Sequence, residues 1–132
     1  MEPEDMQILF DTAQWIMSSK RNVLSKIRQF VGTEENYLLL VRELDRVTAQ
    51  MVRARSLHAE ATLTLVDWLT TLNRFHWQCA YCQERTFQVM IHHVPLPEGG
   101  TTPSNCFPAC CRCRSRRKLD LPPEILHPLE QD

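Results

Sequence analysis

Leu9, Ala13, Ile16, Val23, Ile27 and Phe30 follow one another at steps of three and four, apart from the Val23 step, where the polar Lys20 fills the series. Such steps keep apolar side chains on one face of an α-helix. They predict a single helix over residues 4–31, about 42 Å long at 1.5 Å per residue. Pro3 suits its first turn, and Glu4 and Asp5 complement the positive end of its dipole. Gly32 ends it, and Thr33 before Glu34 and Glu35 caps the next. Leu40, Leu44, Val47, Met51, Ala54, His58, Ala61, Leu65, Trp68, Leu72 and Phe75 then alternate steps of four and three. A period of 3.5 marks a supercoiled seam and predicts a second helix over residues 34–76, about 64 Å long. The short link at residues 31–33 makes the two an antiparallel, coiled-coil-like hairpin. The second helix outruns the first, so its apolar excess near residues 62–76 needs cover from the rest of the chain, a second copy or another protein. His58 lies in that seam, where a hydrogen-bonded core role is expected.

The period changes after residue 86. Phe87, Val89 and Ile91 alternate with Gln88, Met90 and His92, as along a strand. Pro95, Pro97 and Pro103 hold an extended loop, and residues 105–117 are expected to carry a knuckle and a helix, with Pro108 before it or in its first turn. The fold class is therefore α+β. The expected units are a helical arm over residues 1–76, a small module over residues 77–118 and a proline-rich tail over residues 119–132.

Composition narrows the setting. At 132 residues the chain can bury only a modest core. Residues 1–75 carry 9 basic and 10 acidic side chains, and residues 76–132 carry 6 of each, so net charge draws the chain to neither nucleic acid nor membrane. The exception is local: Arg112, Arg114, Arg116, Arg117 and Lys118 put five positive charges in seven residues, a patch suited to nucleic-acid phosphates. The longest apolar run, residues 37–41, falls far short of the roughly 20 needed for a membrane span. The acidic start MEPED is unlike a leader peptide. A cytoplasmic protein is expected.

Cys79 and Cys82 form one CxxC pair and Cys110 and Cys113 another, with 27 residues between the pairs. Each pair folds into a knuckle with both sulfurs on one side, and two knuckles supply the four thiolates of a structural zinc. A reducing interior disfavours disulfides between them. Cys106 suits an apolar core, and Cys111 is expected to point away from the metal.

The residues between the pairs carry a resemblance. Cys79-Ala-Tyr-Cys82, His92-His93-Val94-Pro95-Leu96, Gly99-Gly100, Asn105 and Ala109-Cys110-Cys111-Arg112-Cys113-Arg114 resemble, in order and spacing, the HNH endonucleases over about a third of the chain. The resemblance implies a zinc-bound ββα-metal module. It also implies a histidine base at the end of the first strand, an Asn that orients the base or its loop, and one divalent cation held by two ligands at the scissile phosphate. With the register set on Pro95 and the Gly pair, His92 is the base and the metal-holding acid falls on Ile91. In a second register His92 is the ligand and His93 the base, with one residue missing before Pro95. In both, the helix ligand falls on Arg114, which has no lone pair to give. The function implied is a degenerate HNH-like module that binds DNA or RNA, or a nucleoprotein complex, without efficient cleavage. Zinc is its structural metal, and magnesium or another divalent cation enters only if it is active. The alternatives are an active metal-dependent endonuclease, with His92, His93 and Asn105 at its centre, and a purely structural module that dimerises through residues 40–75.

Overall fold

The structure is a computed structural model and describes residues 3–18 and 24–115. The elements in order are α1 (Pro3–Ser18), α2 (Leu24–Val31), α3 (Glu34–Ser56), α4 (Leu65–Arg74), β1 (Val89–His92), β2 (Cys106–Ala109) and α5 (Cys111–Arg114). The class is α+β. The two strands form one antiparallel sheet in which Val89 faces Ala109 and His92 faces Cys106.

The hairpin of two long helices is not what forms. The first expected helix is divided into α1 and α2. The rings of Trp15 and Phe30 have centroids 4.2 Å apart, whereas one continuous helix would set residues fifteen apart about 22 Å from each other. Folding back lets the apolar faces of α1 and α2 cover one another and α4, which a single rod could not do. Thr33 caps α3 as the sequence predicts, its hydroxyl accepting from the Asn36 N–H at 3.1 Å, and Gly32 before it takes φ 81°.

The second expected helix is divided too. α3 ends in a Schellman turn: the His58 N–H donates to the Arg55 carbonyl (3.1 Å) and the Ala59 N–H to the Ala54 carbonyl (2.8 Å). His58 sits at the position such turns usually give to glycine, with φ 58°, and is exposed rather than in the core. Residues 59–64 then run extended against the Gly99-Gly100 loop. The Thr62 and Leu63 N–H groups donate to the Thr101 carbonyl at 3.0 Å each, and the Thr101 N–H donates to the Glu60 carbonyl at 2.8 Å. A Cβ on Gly100 would lie 2.7 Å from Glu60, so only glycine permits this approach. Thr64 and Asp67 close a capping box that starts α4 afresh, at 3.0 and 3.1 Å. Periodic apolar residues thus continue through a turn that local capping makes, and the 3.5-residue spacing reports two amphipathic helices rather than a coiled coil.

The seam is nonetheless buried, within the chain. Leu65, Trp68, Leu69 and Leu72 of α4 join Met6, Leu9 and Ala13 of α1, Leu40 and Val47 of α3, and Phe87, Met90 and Cys106 of the module in one apolar cluster. The apolar excess near residues 62–76 is covered here by the rest of the chain. The expected boundary at residue 76 crosses this cluster without a gap. Glu43 is fully buried and accepts from Arg42 Nε (3.0 Å), Arg46 Nε (2.8 Å) and Trp68 Nε1 (2.9 Å), tying α3 to α4.

Residues 106–109 form a strand where the sequence suggested a knuckle and helix. Pro108 lies inside it, facing Met90, and its carbonyl accepts from the Ala80 N–H at 2.8 Å, away from β1. Its missing N–H therefore costs the ladder nothing. The tail over residues 119–132 lies outside the described residues.

α4 ends as α3 does, with His76 at φ 56° and the Trp77 N–H donating 2.8 Å to the Leu72 carbonyl. A left-handed conformation costs a non-glycine residue roughly 1–2 kcal/mol. His58→Gly, at an exposed position, is therefore expected to raise the midpoint of thermal unfolding by a few degrees, and His58→Val to lower it, as read by circular dichroism melts.

Candidate functional site

Two knuckles bring four sulfurs together. The first lies in a narrow turn closed by the Cys79 N–H donating to the Arg85 carbonyl (2.7 Å), the Gln83 N–H donating to the Cys79 carbonyl (2.9 Å) and an antiparallel bridge between Gln78 and Thr86. Gln83 takes φ 58° to complete it. The second is the N-terminus of α5, where Cys110 Sγ accepts from the Cys113 N–H at 3.5 Å. The Ala80 N–H bond to Pro108 holds one knuckle against the other. Sγ atoms of Cys79, Cys82, Cys110 and Cys113 all lie within 4.8 Å of one another, and Cys82 and Cys110 are 4.0 Å apart. A tetrahedron with zinc–sulfur bonds of 2.3 Å has edges of about 3.8 Å. Four soft thiols at nearly that spacing fit a metal ion such as zinc.

Their protonation fits as well. Burial raises the Cys82 thiol, but backbone N–H groups of Glu84 and Arg85 and the thiols of Cys79 and Cys113 more than offset it, bringing it down to about 7. Cys113 is pushed up to about 12 by burial and by its three sulfur neighbours. A cation at the centre is what would let all four lose their protons. Cys111 is exposed and outside the cluster. Cys106 is buried in the main core, where burial pushes its thiol up to about 12, in spite of a backbone hydrogen bond from Thr102.

The loop between the strands is braced by Asn105. Its Oδ1 accepts from the Val94 N–H at 2.8 Å, and its Nδ2 donates to the Val94 and Gly100 carbonyls at 2.9 and 2.8 Å. A Cβ on Gly99 would fall 2.2 Å from the Val94 carbonyl oxygen and 2.6 Å from Asn105 Nδ2, so this loop closes only over glycine.

The two histidines part company at the end of β1. His93 turns to Tyr81, whose hydroxyl is 3.4 Å from its Nδ1, and sets its edge against Phe107. His92 turns the other way, into a cavity of about 370 Å³ between α3 and β1. Ile91 and Arg114 line the same cavity, together with Arg46, Gln50 and Arg53 from α3. Ile91 also packs on the cysteine cluster. Thr101 orients His92. The Thr101 hydroxyl donates to the Gln50 carbonyl at 3.2 Å, so its oxygen receives the hydrogen of His92 Nε2 at 2.8 Å. That bond leaves the Nδ1 lone pair of the neutral ring available.

The cavity is cationic. Arg46 is held by Glu43 and by the Gln88 carbonyl (2.8 Å). The Arg53 and Arg114 guanidinium groups have no partner among the described residues, and no Asp or Glu among those residues lines the cavity. Comparison of the chain with protein-family models, curated proteins and solved structures gives no match. The geometry therefore stands alone.

Of the residues singled out from the sequence, the four cysteines are brought together, as are His92, Ile91 and Arg114. Asn105 braces the loop, and His93 lies outside the cavity. Arg112 is exposed on α5, and Arg116, Arg117 and Lys118 lie outside the described residues. Sequence reasoning missed Arg46, Gln50, Arg53 and Thr101. The first three stand at steps of four and three on α3, a polar stripe beside the apolar one, which was legible as a face but not as the wall of a site. Among the described residues no helix is long and apolar enough to cross a membrane.

The cysteines form a cluster of their own, and β1 and β2 tie it to the helices' core through Met90 and Cys106, so loss of a bound metal is expected to reach the helices. Purified protein should carry one zinc per chain. Cys110→Ser should release it and lower the midpoint of unfolding by more than about 10 °C as one transition, since structural zinc contributes on the order of 10–16 kcal/mol in small modules. Metal content by mass spectrometry and calorimetric melts check both.

Burial first, and then the charge of Arg53, hold the His92 imidazole below its ordinary pKa. A base whose folded pKa is depressed takes its proton more readily in the unfolded chain. Its stabilisation is whole above the ordinary value of about 6.5 and is lost as pH falls toward the folded value. His92→Gln should lose less stability than wild type between about pH 7 and pH 5, measured as the difference between their melts at each pH.

Proposed function

We propose that this chain is a zinc-stabilised, HNH-like module in which an arginine takes the place of the catalytic metal, so that it binds nucleic-acid phosphate without cutting it efficiently. One observation carries the reading: Arg114, Ile91 and His92 line one cavity. In the resemblance these are the two metal-holding positions and the base. β1, the braced loop, β2 and α5 follow one another in the order the ββα-metal arrangement requires. Ile91 has no lone pair. Arg114 puts a positive charge where the cation would sit, and like charges at close range in a weakly screened site repel by several kcal/mol. A guanidinium can instead hold a phosphate oxygen through two N–H groups. Arg53 adds a second positive charge to this face, and Arg112 is exposed elsewhere on the same helix as Arg114. Zinc supports this face and takes no part in it.

One observation favours the active endonuclease as second reading. His92 has the geometry of a base, with Nε2 anchored on Thr101 at 2.8 Å and no partner on Nδ1 among the described residues. What it lacks beside it, among the described residues lining the cavity, is a carboxylate to hold a cation.

Plasmid cleavage with magnesium, manganese or nickel, run beside a binding assay, separates the two. Wild type is expected to show no cleavage above background and salt-sensitive binding that weakens about tenfold or more on Arg114→Ala. Ile91→Asp with Arg114→Asn is expected to gain divalent-cation binding and trace nicking. Robust magnesium-dependent cleavage by the unmodified chain, abolished by His92→Ala, would establish the endonuclease. A chain that binds no nucleic acid at low salt would be a structural module.

A further inference from the structure

We infer that the cavity between α3 and β1 receives the terminal phosphomonoester of a nucleic-acid strand, with α3 reading the end. This inference rests on the phosphate-binding role proposed above and names its substrate class.

The argument begins with charge. Arg53 and Arg114 both line the cavity and have no partner among the described residues, while Arg46 is already compensated by Glu43. Two uncompensated guanidinium groups face a recess in which none of the described liners is a carboxylate. An internal phosphodiester brings one negative charge per phosphate. A phosphomonoester brings about 1.5 to 2 at pH 7 and three terminal oxygens for the N–H groups of two arginines. The end of a strand matches this pair of charges better than its middle.

Shape points the same way. α3 walls one side of the cavity with Arg46, Gln50 and Arg53, and the loop at Pro95 closes another. A volume of about 370 Å³ is that of a small-ligand site and not of a groove that follows a backbone. With α3 as one wall, the recess has room for one terminal unit.

Gln50 supplies the second polar requirement. Gln50 lines this cavity, and its Oε1 is buried with no hydrogen-bond partner among the described residues, so it meets a ligand once the side chain turns outward. A buried acceptor without a donor is costly. A sugar hydroxyl or a base amino group on the terminal nucleotide supplies the missing donor. Phosphate on Arg53 and Arg114 with a hydroxyl or amino group on Gln50 describes a nucleoside monophosphate unit, either free or at the end of a strand.

Fluorescence anisotropy on the full chain tests this. The probes are one short single-stranded oligonucleotide with a 5′-phosphate, the same with a 3′-phosphate, and the same with hydroxyl ends. One phosphorylated end is expected to bind about tenfold or more tighter than the hydroxyl-ended strand. Arg53→Ala, a change at an exposed residue, should bring that ratio to about one, and a nucleoside monophosphate should compete where the nucleoside does not. Equal binding of all three strands would overturn the inference and leave the phosphate-binding role standing. Failure of all three to bind at low salt would overturn that role. In that case a nucleoside monophosphate that raises the melting temperature of wild type but not of Arg53→Ala would support the cavity as a site for the free monophosphate, and no shift would overturn it. Gln50→Leu gives an independent check. It should weaken the nucleoside monophosphate more than inorganic phosphate, and an equal effect on both would count against the placement of Gln50.

Discussion

A single buried carboxylate joins the helices to the module. Glu43 is fully inside the protein, and its oxygens are met by Arg42, Arg46 and the Trp68 indole. Leaving such a charge without its partners costs about 3–5 kcal/mol, so α3 and α4 are obliged to meet at this point. Arg46 carries the link onward, to the Gln88 carbonyl just before β1 and over the Phe87 ring at 5.1 Å. Trp68 meets the same Phe87 edge-on, with centroids 6.1 Å apart. The position of β1 relative to α3 follows from these contacts, and with it the existence of a cavity between them.

A second constraint acts at the other end of α3. The connector at residues 59–64 pairs with Thr101 through backbone bonds that a helix would have consumed internally. Gly99 and Gly100 are needed at the same place for different reasons, one for closure on Val94 and Asn105, the other for approach to Glu60. Thr101 is therefore bonded on one side to the connector and on the other to His92. The bend that ends the long helix and the orientation of the histidine share one residue. Ile91 makes a similar join between the cysteine cluster and the cavity, packing on the first and lining the second.

The basic face is not read from net charge, which is −1 over the whole chain. It depends on which cations are already compensated. Arg46 and Arg28 have carboxylate partners, whereas Arg53 and Arg114 have none among the described residues. Charge counting along the sequence picks out the cluster beginning at Arg112 but gives no weight to Arg53, 61 positions earlier than Arg114 on another element.

What the sequence by itself determined is short in range. Two CxxC turns bring thiols together within four residues each, a Thr at the start of a helix accepts from the third residue on, and a Gly after one ends it; all of these were legible and all are found. Tertiary structure decided the rest. Apolar spacing of 3.5 says which face of a segment is buried, not that the segment is continuous, so Leu65, Trp68 and Leu72 keep their burial while the helix carrying them folds back at residues 57–64. Nothing in the spacing distinguishes Glu43, buried on three donors, from the exposed carboxylates beside it. Nothing in it turns Arg46, Gln50 and Arg53 toward β1. Those outcomes depend on which donors and apolar faces lie opposite, and only the packed chain supplies them.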